Sequence, residues 1–84
     1  MVYTLYVKKL CPYSQEAIKV LKENKLQFKT YDVTKYNGTM NVVKQLKQSK
    51  LIPQKSKHST VPIVFGVDGE FIGGCDKLID FLNK

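Results

Sequence analysis

The residue of this sequence that is best suited to chemistry is Cys11. It follows a strand-like segment, Val2 to Val7, through a three-residue loop with two lysines, and it directly precedes Pro12, which helices accept in their first turn. We therefore expect the sulfur to lie beside the free N–H groups and the positive dipole end of a helix. Such settings lower the pKa of a cysteine from about 8.5 to roughly 3.5–7.5, and the thiolate is the form that attacks disulfides. An inert, buried cysteine is the alternative.

The elements that must position Cys11 follow from residue periodicity and turn signals. The β-α-β start predicts two parallel strands, and a hairpin at Asp68-Gly69 adds an antiparallel pair. We expect one α/β domain, residues 1–84, with helices on both faces of a mixed sheet. The predicted strands are Val2–Val7, Leu26–Val33, Val61–Val67 and Glu70–Ile72, and the first and last predicted helices are Pro12–Asn24 and Asp76–Leu82. Between them we expect a helix that is capped by Thr39. Its inward-facing side chains are Val42, Val43 and Leu46, with Leu51 as a further candidate.

Composition and charge narrow the function classes. The 84 residues include 14 lysines, no arginine and 7 acidic residues, for a net charge of +7, which favours anionic partners. The densest lysine stretch, 44–57, is either a solvated helix face that runs into a loop or a surface for non-specific phosphate contact. There is no apolar run of roughly 18 residues and no signal-peptide pattern, so we expect a cytoplasmic protein without membrane association. Two cysteines and His58, which we expect to be a loop residue, are too few for a zinc site, and no metal is expected.

Four short segments resemble the motifs of one family. The tetrad Cys11-Pro12-Tyr13-Ser14 resembles the active site of glutaredoxins, and Lys8, Thr60-Val61-Pro62 and Gly73-Gly74-Cys75-Asp76 match further glutaredoxin motifs in the same order. The resemblance covers nearly the whole chain. It implies a thioredoxin-like three-layer sandwich with a mixed four-stranded sheet and the order β-α-β-α-β-β-α. It also implies a glutathione-dependent thiol–disulfide oxidoreductase whose nucleophile is Cys11.

The resemblance further implies which residues bind glutathione. Lys8 would meet a carboxylate of the tripeptide, and Tyr13 would border the thiol. Val61, which precedes a cis Pro62, would offer its backbone to an extended ligand. The glycine-rich loop, together with its aspartate, holds the γ-glutamyl end. That aspartate is also well placed to cap the last helix, and the two roles can coexist. The implied glutathione-binding residues are Lys8, Tyr13, Thr60, Val61, Pro62, Gly74, Cys75 and Asp76.

Three positions depart from the family pattern or leave a choice open. Ser14 stands where dithiol glutaredoxins carry a second cysteine, which leaves the monothiol route for protein–glutathione mixed disulfides. Cys75 either pairs with Cys11 or is a plain loop cysteine. The lysine-rich segment 51–59 is longer than its family counterpart, so Lys44 and Gln45 both stay candidates for the second glutathione carboxylate.

Two other functions compete with the enzyme. In one, two subunits share a [2Fe–2S] cluster through Cys11 and two glutathiones, although Pro12 stiffens the turn and disfavours this. In the other, the chain is a non-catalytic thioredoxin-like binding module whose lysine-rich face contacts nucleic acid. The enzyme is the leading hypothesis: a monomer whose partners are glutathione, as co-substrate, and glutathionylated proteins, with no nucleic acid.

Overall fold

The structure, a computed structural model, describes residues 2–55 and 60–83. Lys57 and His58, which we assigned to a basic stretch and a loop, lie outside these residues. Within the described ranges, no helix is both long and apolar enough to cross a bilayer. The elements are β1 (Tyr3–Val7), α1 (Pro12–Glu23), β2 (Phe28–Asp32), a 3-10 helix (Val33–Tyr36), α2 (Thr39–Gln48), β3 (Ile63–Phe65), β4 (Phe71–Gly73) and α3 (Cys75–Leu82).

The four strands form one mixed sheet in the order β2-β1-β3-β4. β1 and β2 are parallel, with Tyr6 opposite Tyr31, and α1 is the crossover that joins them. β3 lies antiparallel to β1, and β4 returns antiparallel to β3 after the turn that contains Gly69. The predicted mixed topology is therefore confirmed. The third strand is shorter than expected, since it begins only at Ile63, after the proline.

Helices cover both faces of this sheet. On one face α1 and α3 bury their apolar sides against β1, where Leu5, Leu21 and Leu78 are fully buried. On the other face α2 packs over β3, where Val33 and Ile63 are fully buried. Alternation along β1 explains the two layers, because successive side chains of a strand point to opposite faces. The predicted three-layer arrangement is thus confirmed.

The ends of α2 differ from the sequence prediction. Thr39 is the first helical residue and not the cap, because the capping position is taken by Gly38. The backbone of Gly38 has a φ of 97°, a conformation that glycine tolerates and a side chain disfavours. The helix ends at Gln48, so Leu51 lies beyond it and is half exposed, while Ile52 enters the core instead.

We expect Leu5→Ala to lower the free energy of unfolding by about 2–5 kcal/mol, because it leaves a cavity in the layer between β1 and the two helices. The matched control is Leu10→Ala, whose side chain is 87% exposed and whose effect should stay within about 0.5 kcal/mol. Urea denaturation of both variants measures the difference. Equal losses would contradict the described packing.

Candidate active site

Cys11 lies at the N-terminus of α1, where the sequence predicted it. Its backbone is extended, with φ −82° and ψ 120°, and its carbonyl accepts the first helical hydrogen bond from the Gln15 N–H at 3.1 Å. Its own N–H donates to the Lys8 carbonyl at 3.0 Å, which closes the loop after β1. Pro12 follows as the first helical residue and has no N–H to leave unsatisfied. The cysteine therefore occupies the capping position with its side chain beside the free N–H groups of the first turn.

The surroundings of the sulfur favour the thiolate. Desolvation raises the pKa of Cys11, but hydrogen bonds from the backbone N–H and the hydroxyl of Ser14 lower it, as do the N–H of Tyr13 and the charge of Lys8; the net shift is downward. Ser14 is almost fully buried, at 1% exposure, and its oxygen also accepts the Lys8 N–H at 3.2 Å. Ser14 thus links the loop to the helix while it donates to the sulfur.

The segment before β3 forms a second wall of the site. The Val61–Pro62 peptide bond is cis, as the family resemblance implied, and Pro62 is buried. The thiol of Cys11 donates to the carbonyl oxygen of Val61 at an S–O distance of 3.9 Å. Residues 50 positions apart in the chain are thereby in contact at the reactive sulfur.

The start of α3 forms the third wall. The helix begins at Cys75, one residue earlier than predicted. The capping position is Gly74, which has no side chain that could accept a hydrogen bond from the first turn. Asp76 is therefore not the cap; it is the second helical residue, and its exposed side chain lines the groove beside Cys11. Gly73 has a φ of 128°, so the chain needs glycine where β4 turns into α3.

The two cysteines lie in opposite electrostatic environments. Burial raises the pKa of Cys75, and the nearby carboxylates of Glu16 and Asp76 raise it further. Both thiols are free in the structure. Thiolate formation is thus easier at Cys11 and harder at Cys75 than at a free cysteine. Pairing of Cys75 with Cys11, one of the two alternatives that the sequence left open, is not favoured by these pKa directions.

These walls enclose one groove of about 920 Å³, a size within the range of roughly 300–1,000 Å³ that is common for small-molecule sites. It brings together every residue that the sequence assigned to the site: Lys8, Cys11, Tyr13, Thr60, Val61, Pro62, Gly74, Cys75 and Asp76. That they bind glutathione stays a prediction.

Sequence reasoning missed three groove residues, Leu10, Thr39 and Lys77. Leu10 was detectable as the neighbour of the nucleophile, whereas Thr39 and Lys77 reach the groove only through the packing of α2 and α3. Lys44 and Gln45, our candidates on α2 for the second carboxylate, do not line it, and Gln45 lines a different groove. The first residue of α2 faces this site, and the middle of the helix does not.

The groove suits a thiol ligand with anionic ends. Lys8 and Lys77 place two cations on its lining, the first turn of α1 faces the sulfur, and Asp76 is an acceptor for an ammonium group. Among residues 2–55 and 60–83, no three histidine, cysteine or acidic side chains are grouped closely enough to hold a metal ion.

Comparisons with known proteins found a matching family model, a similar protein and solved structures of the same fold. The glutaredoxin family model matches residues 3–72. A probable glutaredoxin of Acanthamoeba polyphaga mimivirus is 36% identical over 83 residues, which span 96% of this chain and 77% of the relative. The crystal structure of glutaredoxin 1 from Francisella tularensis, complexed with cacodylate, has a TM-score of 0.78 and 29% identity over 98% of this chain and 96% of its own. A buckwheat glutaredoxin–glutathione complex shares the fold, with a TM-score of 0.70 and 22% identity over 96% of this chain and 67% of its own.

We expect the alkylation rate of Cys11 to rise with pH and to have its inflection at a lower pH than that of a free cysteine, because the lowered pKa yields thiolate earlier. Cys75 should react only at higher pH, since its pKa is raised. Ser14→Ala should move the Cys11 inflection upward, because it removes the hydroxyl hydrogen bond. Iodoacetamide labelling read by mass spectrometry measures all three. A Cys11 inflection that Ser14→Ala leaves in place would contradict this role of the hydroxyl.

Proposed function

The chain belongs to the glutaredoxin family of thiol–disulfide oxidoreductases, and on that basis we propose that it reduces protein–glutathione mixed disulfides by a monothiol mechanism. The observation that carries the proposal is the Cys11 sulfur, which has a lowered pKa, faces an open groove and has Ser14 where a second thiol would stand. Glutathione is the co-substrate.

In the first step the Cys11 thiolate attacks the glutathione sulfur of the mixed disulfide. A new S–S bond forms between Cys11 and glutathione, the old S–S bond breaks, and the protein sulfur leaves as a thiolate that takes a proton from water. Attack on the glutathione sulfur requires that the tripeptide lies in the groove and the protein outside it. The groove supports this orientation, because Lys8, Val61 and Asp76 line it together with Cys11.

The groups that would hold glutathione match its charges. Its carboxylates suit Lys8 and the helix N-terminus at α3, and its ammonium suits the carboxylate of Asp76. The carbonyl of Val61, which accepts the Cys11 thiol, loses that donor once the thiolate forms. It is then open to an N–H of an extended ligand, the kind of backbone pairing that adds a peptide to a sheet edge.

The second step needs another glutathione. Its thiolate attacks the Cys11–glutathione disulfide, oxidised glutathione leaves, and the Cys11 thiolate is restored. Each cycle therefore consumes one free glutathione and converts the mixed disulfide into the reduced protein and oxidised glutathione. A serine hydroxyl cannot take the place of that thiol. Cys75 is a poor substitute as well, because its raised pKa keeps it protonated.

The cycle needs no second copy of the chain, because the groove and the sulfur lie within one chain. We therefore propose that the protein acts as a monomer. It would work in a reducing compartment, the cytoplasm, where glutathione is supplied in its reduced form.

We expect wild-type protein to turn over a glutathionylated small thiol in an assay coupled to NADPH through glutathione reductase, and Cys11→Ser to lose all of that turnover. The loss follows because an alkoxide is not formed near neutral pH and because Cys75, the other thiol in the lining of the groove, has a raised pKa. If the Cys11→Ser variant turned over the substrate at the rate of the wild-type protein, the assignment of the nucleophile would be contradicted.

Ser14→Cys is the matched variant for the monothiol route, because it changes one buried atom from oxygen to sulfur. The variant should gain reduction of intramolecular protein disulfides, which the wild-type protein should lack. Wild-type protein that reduces such disulfides without glutathione would show that the monothiol assignment is wrong.

A further inference from the structure

A second groove, of about 580 Å³, lies between α2 and the edge strand β2. It shares no lining residue with the groove at Cys11, and the proposed glutathione chemistry makes no use of it. Its lining residues come from β1, β2, the 3-10 helix, α2 and the loops on either side of α2: Tyr6, Tyr31, Lys35, Tyr36, Asn37, Asn41, Val42, Gln45, Leu46, Ser49 and Leu51. We refer to it as the tyrosine groove.

One wall of the tyrosine groove is a ladder of three aromatic rings. Tyr6 and Tyr31 are register partners on the parallel strands, and their rings stack at a centroid distance of 5.3 Å and an angle of 26°. Tyr36 meets Tyr31 edge-on at 6.5 Å. Tyr31 and Tyr36 remain 36% and 46% exposed, so the ladder ends in ring surface that is free to contact a planar ligand.

The phenol groups of the ladder add hydrogen-bond donors to the wall. Burial raises the pKa of Tyr6, and the proximity of Tyr31 and Tyr36 raises it further, because ionisation of one phenol is disfavoured beside the others. Neutral phenols donate hydrogen bonds. The wall is therefore a set of aromatic faces with several hydrogen-bond donors at its rim.

The opposite wall carries amide side chains, and the charge in the lining is positive. The side-chain N–H of Asn41 donates to the Tyr36 carbonyl at 2.8 Å, which leaves its side-chain oxygen as an acceptor, and Asn37 and Gln45 add further amides. Lys35 is the one charged residue among the described lining residues, and none of them is acidic. Charge complementarity thus favours an anion.

We propose that the tyrosine groove binds a small anion that carries a planar aromatic ring, of the nucleoside monophosphate class. The ring lies against the exposed faces of Tyr31 and Tyr36, the amides of α2 meet the polar edge of the ring, and Lys35 meets the anionic group. Stacking on tyrosine supplies most of the affinity, because it works for any flat ring, whereas a single exposed lysine contributes less.

Amide NMR spectra of the 15N-labelled full chain, titrated with AMP, test the assignment. We expect saturable shifts at Asn37, Asn41 and Gln45, and none at Cys11 or Gly74. Adenosine, which lacks the charge, and ribose 5-phosphate, which lacks the ring, should each bind more weakly than AMP. Absence of saturable shifts at millimolar AMP, or shifts centred on the Cys11 groove, would overturn the proposal.

Two variants with matched controls test the contacts. Tyr36→Ala should weaken AMP binding about tenfold or more, and Lys35→Gln a few fold. Phe81→Ala, which removes a similarly exposed ring outside both grooves, and Lys19→Gln on α1 should leave the affinity unchanged.

Tyr36→Leu controls for a general loss of packing, since it keeps an apolar side chain without the aromatic face. It should lose affinity as the alanine variant does, with a well-dispersed spectrum that shows an intact fold. Wild-type affinity in Tyr36→Leu would overturn the stacking assignment. Tighter binding of a single-stranded oligonucleotide than of AMP, with a steep dependence on salt, would overturn the assignment to a small ligand.

Discussion

The interaction on which the site depends is the hydrogen bonding of the Cys11 sulfur to the first turn of α1. Burial alone would hold this sulfur as a neutral thiol, but the N–H groups of Tyr13 and Ser14 and the Ser14 hydroxyl reverse the direction of the pKa. Cys75 shows what happens without such donors, because burial and two carboxylates keep it protonated. Local hydrogen bonds and charges therefore shift the pKa values of the two cysteines in opposite directions.

The sheet topology explains why three distant segments meet at that sulfur. β1 ends at the end of the sheet where Cys11 caps α1. β3 runs antiparallel to β1, so it starts at the same end of the sheet, directly after Val61–Pro62. β4 runs antiparallel to β3, so it ends there too and releases the chain into α3. One mixed sheet thus collects a reactive cysteine, a backbone acceptor and a second helix N-terminus around a single groove.

Much of this arrangement was predictable, because it rests on local patterns. Strand periodicity, the Pro12 helix start and the Asp68-Gly69 turn signal are short-range features, and the architecture follows from their order. What failed depends on tertiary packing. The rotation of α2 decides that Thr39 faces the Cys11 groove while Gln45 faces the tyrosine groove, and strand register decides which tyrosines stack. A sequence pattern gives neither the rotation of a helix about its axis nor the partner of a residue across a sheet.

The central claim is that Cys11 captures the glutathione half of a mixed disulfide and releases the protein half. The most direct measurement mixes the reduced protein with a glutathionylated peptide, stops the reaction in acid within the first turnover, and identifies the adduct by mass spectrometry. We expect glutathione on Cys11 and a free peptide thiol. A peptide adduct on Cys11, or any first adduct on Cys75, would contradict it.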